Sequence, residues 1–262
     1  MKRMTILAAA AVLAVAATGA AGTDDFHWSG KVAAGAAVEI KGVNGGIVAT
    51  GAPGGEVEVT ATKKGHKSDP AQVKIDVVEH AGGVTICAVY PSSGAPNDCK
   101  PGEGGRMNVR DNDVNVEFRV KVPAGVRFVG RTVNGGIEAN GITADAEAHT
   151  VNGGVNLEAA GTARAETVNG GINAHLGRAD WDGTLKLKTV NGGIHVVLPA
   201  GLAAEVQAST VNGEIQTDFP LAVTGRISRR RLHGTIGAGG RLLEMETVNG
   251  SIEMQKAGAA GK

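Results

Sequence analysis

Asp180 and Asp182 flank Trp181, and no other spacing in the chain comes closer to a catalytic arrangement. Paired carboxylates act as general acid and as base or nucleophile in glycoside cleavage, and an indole between them can hold a sugar ring. The same Asp-x-Asp-Gly run is also ordinary turn chemistry, which is the reading the local sequence favours. Asp111 and Asp113 in RDNDVN take the turn reading too. Arg226, the SRRRLHG run at 228–234 and Arg241 form the one concentration of charge. It reads first as a solvated face, with contact to an acidic glycan or lipid headgroup as the alternative. No GxSxG, phosphate loop or Ca²⁺-binding GGxGxD nonapeptide occurs.

The elements that would have to position these groups are built from an unusual composition. Glycine supplies 41 of 262 residues and aromatics 3%, while hydrophobic residues still make up 42%. A core without aromatics must be filled by Val, Ile, Leu and Ala, which suits closely stacked strands. Lys+Arg and Asp+Glu are both 26, so no net charge steers the chain to nucleic acid, and none is expected as a partner.

Residues 1–21 read as a signal peptide. Lys2 and Arg3 precede an uncharged Ala/Leu/Val run, then small residues, then the polar TDDF. The run is shorter than the roughly 20 residues of a membrane span, so no transmembrane segment is expected in the mature chain. The expectation is an exported protein of the periplasm, cell surface or medium. In that setting the isolated pair Cys87 and Cys99, bracketing the Pro/Gly/Ser-rich AVYPSSGAPND, reads as a disulfide. Closing such a loop stabilises by roughly 3 kcal/mol. Zinc would need two further ligands, and only His80 is near, so no metal or cofactor is expected.

The organising feature is a repeated phrase. TVNGGI begins at Thr132, Thr167 and Thr189, and VNG begins at Val43, Val133, Val151, Val168, Val190, Val211 and Val248. LHGTI at 232–236 fits as a worn copy. The starts from Val133 lie 16 to 22 residues apart when Leu232 is included, the period of a solenoid whose coils cover one another. Each coil is then strand, Asn-Gly corner, strand and a second corner. Asn44, Asn134, Asn152, Asn169, Asn191, Asn212 and Asn249 are the corner residues, with Asn and Gly supplying positive φ and Gly letting adjacent coils approach closely. A two-residue hairpin is the competing reading of Asn-Gly. Stacked in parallel, successive corner amides would lie about 4.8 Å apart and bond as a ladder.

Period-two alternation fixes the phase. Arg131, His149, Glu166, Lys188, Ser209 and Glu246 fall outward, and Ile137, Val155, Ile172, Ile194, Ile215 and Ile252 fall inward. The repeat threonines fall inward as a buried hydroxyl column. Val133, Val151, Val168, Val190 and Val211 fall outward. Either the corner tucks these valines back inside, or they form an exposed ridge for a partner. His149, His175, His195 and His233 lie at different coil positions and make no common ligand column.

Before the second VNGG the texture changes to longer alternating strands, EVEVTAT, VKIDVV, VTICAV and DVNVEFRVKV, which fit oversized coils or a capping sheet. SDPAQVKIDVV opens with a possible short helix. VPAGV at 122–126 and LPAGL at 198–202 share one turn, arguing for a single domain over 22–256, with 22–122 the longer-strand part, 123–256 the regular coils and 257–262 a disordered tail. VEIKGVNGGI at 38–47, EVEVT at 56–60, VTICAVY at 84–90, 114–122 followed by PAGV, and the TVNGGI coils resemble the DUF4097 family of bacterial adhesin-like proteins. The likeness runs over roughly 26–254. It implies an all-β, parallel β-helix-like solenoid on exported or envelope proteins and supplies no catalytic residues.

Two function classes follow. The first is a non-enzymatic exported scaffold for adhesion or assembly, its partner an envelope protein, a surface glycan or a second copy. The other is a carbohydrate-active β-helix, lyase or glycosidase, using the acids around Trp181.

Overall fold

The computed structural model describes residues 25–181, 183–223 and 228–258. The proposed signal peptide, Asp182, Arg226 and most of the proposed tail lie outside them. The strands are β1 (Asp25–Gly30), β2 (Ala37–Lys41), β3 (Ile47–Ala52), β4 (Val57–Lys64), β5 (Lys74–His80), β6 (Gly83–Val89) and β7 (Asn115–Pro123). They continue as β8 (Arg127–Arg131), β9 (Ile137–Ile142), β10 (Ala146–His149), β11 (Val155–Ala159), β12 (Ala163–Glu166), β13 (Ile172–Leu176) and β14 (Thr184–Lys188). The last are β15 (Ile194–Leu198), β16 (Ala204–Asn212), β17 (Ile215–Thr217), β18 (Ala222–Val223), β19 (Arg231–Ile236), β20 (Arg241–Asn249) and β21 (Ile252–Lys256). The possible helix at SDPAQ is one 3-10 turn, Pro70–Gln72, capped by the Asp69 carboxylate on the Ala71 N–H.

Two sheets face each other. Sheet A runs β1-β4-β7-β3-β9-β11-β13-β15-β21-β17, and sheet B runs β18-β19-β16-β20-β14-β12-β10-β8-β2-β6-β5. Each coil climbs a strand of B, turns at Asn-Gly, crosses to a strand of A and returns. Every pairing between coils is parallel, for example Ile172 beside Val155 and Ile194, so the hairpin reading of Asn-Gly is excluded. The longer N-terminal strands do both things expected of them. β6 and β7 form an oversized coil, while β1, β4 and β5 add antiparallel strands that close that end. Pro123 and Pro199 start the same turn, their carbonyls accepting from Val126 and Leu202.

The stacking order is not the chain order, which corrects the expectation of consecutive coils. β6 and β7 stack outside β2 and β3, and β8 and β9 then take the other side. At the far end β20 and β21 slot between β14/β15 and β16/β17. The cause is LHGTI, which is no coil. It forms β19, which folds back antiparallel on β16, Ala208 opposite Leu232. With that edge of β16 occupied, the returning chain turns at Gly237, Gly239 and Gly240, all at positive φ, and pairs with the free edge of β16 and with β14.

The core lies between the sheets. Ile47, Ile137, Val155, Ile172, Ile194 and Ile252 are fully buried just after the corners, facing Ala148, Ala165, Leu187 and Met245 from sheet B. Large and small residues alternate to fill it: a Cβ on Gly130 would press on the Phe128 ring at 3.0 Å. Cys87 and Cys99 form a disulfide, pinning the 98–106 loop across the outer face of β6 and β2.

Candidate interaction surface at the asparagine-glycine corner

Six of the seven corners begin with a threonine that is 1 to 6% exposed; Gly42 stands in its place before Val43. Thr150, Thr167, Thr189, Thr247 and Thr210 donate their hydroxyls to the carbonyls of Gly135, Gly153, Gly170, Gly192 and Gly250 at 2.8–2.9 Å. Thr132 does the same to Gly45 at 3.0 Å. Those carbonyls belong to the neighbouring coil and receive no corner N–H, so the side chain satisfies a group that the backbone ladder leaves over.

The first glycine is there for closeness. A Cβ on Gly153 would run into the Gly135 carbonyl, and the same holds for Gly135, Gly170, Gly192 and Gly213 against their neighbours. Positive φ, the other expected reason, occurs in the first glycine only at Gly45 and Gly250, and none of the corner asparagines adopts it. The second glycine is looser. Gly154 would meet the Gly171 carbonyl at 3.6 Å, an ordinary contact, and two coils carry Glu214 and Ser251 at this place.

Outside the corner runs the amide ladder. Asn134 donates Nδ2–H to Asn44 Oδ1 at 2.9 Å, Asn152 to Asn134 and Asn169 to Asn152 at 2.8 Å. Asn191 donates to Asn169 at 2.8 Å, Asn249 to Asn191 at 2.7 Å and Asn212 to Asn249 at 2.8 Å. Asn212 therefore ends the ladder, although Asn249 comes last in sequence. All six bonds point one way, so their dipoles add.

Beside the amides stand the valines. Val133, Val151 and Val168 are each 38% exposed, Val248 39% and Val211 55%; Val190 is half-buried. The corner does not tuck them in. Only Val43, at the N-terminal end, is buried. In stacking order the six from Val133 to Val211 make an apolar column about 24 Å long, at about 4.8 Å per coil.

The other candidate residues lie apart from this edge. Trp181 is 3% exposed, and its indole N–H donates to the Leu242 carbonyl at 3.1 Å. Its ring is packed into the core and offers little surface on which a sugar could stack. Asp180 pairs with Arg178 at 3.2 Å. Asp113 accepts from the Lys67 and Ser68 N–H groups, and Asp111 has φ 51°, so both serve turns. Arg229 pairs with Glu214 at the C-terminal end, while Arg241 donates to the Trp181 carbonyl, so the arginines do not form one patch. No His/Cys/Asp/Glu group suited to a metal occurs among the described residues, and no helix there is long and apolar enough to cross a membrane.

Sequence reasoning missed the charge network on the outer face of sheet B. Glu39, 5% exposed under the 98–106 loop, accepts from Thr85, the Gly102 N–H and Arg131. Arg131 reaches on to Glu147 at 3.1 Å, and His149 bonds Glu147 at 2.6 Å. The His149 hydrogen bond is the main reason that the Glu147 carboxyl is held below its usual value. The alternation of charge along neighbouring outward positions was visible; their pairing depended on stacking order.

Residues 131–255, from the end of β8 to β21, match the family model described as Toastrack DUF4097. The chain is also similar to two solved structures. One is a "putative cell adhesion protein" from Clostridium sporogenes ATCC 15579, 10% identical, covering 90% of this chain and 100% of that one, TM-score 0.48. The other is a "putative adhesin" from Bacteroides fragilis NCTC 9343, 11% identical, covering 89% and 97%, TM-score 0.34. No curated protein matches the chain.

Proposed function

We propose that this chain, whose residues 131–255 match the Toastrack DUF4097 model, is a non-enzymatic exported β-solenoid that acts as an adhesin-type interaction scaffold. In this reading residues 1–21 are removed on export, and 22–256 work as one domain in the periplasm, at the cell surface or in the medium. The Cys87–Cys99 disulfide fits an oxidising compartment.

One observation carries the reading: a continuous valine column left exposed beside an amide ladder. Exported proteins seldom leave such a stripe bare without a partner. The valines fill no space in the core, so another copy or an envelope protein docking on them removes apolar surface from water without disturbing the fold.

Replacing Val151, Val168 and Val190 together with Thr tests this. The expected outcome is unchanged melting with weakened association, read by sedimentation velocity of the mature chain alone and with solubilised envelope protein. A triple variant that unfolds would show the valines to be structural. One that folds and associates like the wild type would remove the edge as a docking surface.

A further inference from the structure

The buried Trp181 leaves Trp28 as the tryptophan with surface to offer. Trp28 lies on β1, the last strand of sheet A, opposite Val59, and points into the gap between the sheets where the stack ends. It is half-buried, its indole lying over Gly30, where any Cβ would strike the ring. Across the gap is the His80–Gly83 turn that joins β5 to β6. Gly83, at φ 132°, lets this turn press onto Ala37, and Gly82 accepts the Ala37 N–H.

Between them is a hollow of about 180 Å³ with Val32, Ala36 and Val84 in its lining, at the end of β2 remote from the Asn44 corner. Lys31 and Glu79 stand at its rim, both exposed. Neither makes a hydrogen bond or ion pair among the described residues, and the Trp28 indole N–H likewise donates to nothing there. His80, by contrast, is fully engaged: Nδ1 accepts from the Gly82 N–H at 3.2 Å, and Nε2 bonds the Thr85 hydroxyl at 3.2 Å. The hollow therefore presents one aromatic surface with an N–H handle, one ammonium and one carboxylate, all uncommitted, around a fixed apolar lining.

We propose that this hollow binds one neutral hexopyranose ring of a glycan. Its volume is below the roughly 300–1,000 Å³ of sites for drug-sized ligands, which suits a single ring. An indole offers an apolar surface to the C–H face of a sugar and a donor to its rim. Lys31 supplies donors and Glu79 acceptors for ring hydroxyls. The two charges cancel, so the site gives no advantage to a uronate or phosphate. This site is separate from the valine edge and stands or falls without it.

The test uses the mature chain, whose two tryptophans give two indole N–H signals in a ¹H–¹⁵N spectrum. Methyl glucoside, galactoside, mannoside and N-acetylglucosaminide are titrated into the tens-of-millimolar range, with glucuronate as the charged comparator. The Trp28 signal should move saturably with at least one neutral sugar, while Trp181, bonded to Leu242, stays as the internal reference. Glu79→Gln and Lys31→Ala, both at exposed positions, should each weaken binding several-fold, and the triple valine variant should bind as the wild type. The proposal is overturned if no neutral sugar moves the Trp28 signal. It is equally overturned if the shift survives both rim substitutions unchanged, or if glucuronate binds more tightly than every neutral sugar.

Discussion

Where a corner holds two adjacent glycines, they are under different constraints. The first lies against neighbouring backbone with no room for a methyl group; the second is less crowded, from 3.1 Å at Gly46 to ordinary contact at 3.6 Å at Gly154. Gly153→Ala should destabilise by about 1–3 kcal/mol, because the backbone of two coils must separate to admit the Cβ. Gly154→Ala should stay within about 0.5 kcal/mol. Urea melts of the two variants decide the matter, and equal losses would mean that φ, not contact, selects glycine. Spacing in the sequence revealed that glycine was needed at the corner. It did not separate close approach from positive φ, since a close approach depends on which coil lies next door.

Strands were the most legible elements. Alternation identified the inward isoleucines and outward polar residues without knowledge of the stacking order, because period two is a property of one strand alone. Ile172→Ala, in a fully buried column, should cost about 2–5 kcal/mol. Asn173→Ala should cost no more than about 1 kcal/mol, the loss of its 2.7 Å bond to Asn156 on the exposed face. Similar denaturation midpoints for the two would contradict the phase. Contacts across strands were not legible in the same way, and the Glu147 network is the example. Its carboxyl titrates below the ordinary value of 4.5, so its contribution to stability is complete above about pH 4.5 and disappears as pH falls through the depressed value. The stability difference between wild type and Glu147→Gln should follow that course in urea melts taken from neutral pH down to about pH 3. A difference that grows on acidification would refute the pairing. The burial of Trp181 was not legible for a related reason: turn residues and catalytic acids share the same letters, and the sequence does not say which side chain the next coil covers.

At the scale of the molecule, the last coil in sequence is an inner coil in space. Truncation after Gly240 removes β20 and β21 and with them the rung that joins β14/β15 to β16/β17. A solenoid stacked in chain order would merely lose an end. Here the shortened chain should lose cooperative unfolding altogether, since each coil depends on neighbours to bury its face. Near-wild-type thermal melting of the truncated chain, followed by circular dichroism, would show that β16 can move one rung and close the gap. The repeat count predicted neighbouring coils but not their order, because every coil offers the same apolar face and the same 4.8 Å ladder to any other. At the C-terminal end the order was decided by one antiparallel strand, β19, whose sequence still looks like a repeat.

The inserted coil also sets how the molecule meets tension. A terminal coil pulled from its free end peels away, and its bonds break one after another. β21, the last strand, is gripped on both edges, by β15 and β17, so a pull along it from the C-terminus loads both ladders together. At the other terminus the outermost strand of sheet A, β1, is held on one edge alone by β4 and can unzip, but the next strand, β2, lies between β6 and β8. A scaffold held between a cell and a surface would thus give up a short N-terminal strand first and resist shear thereafter.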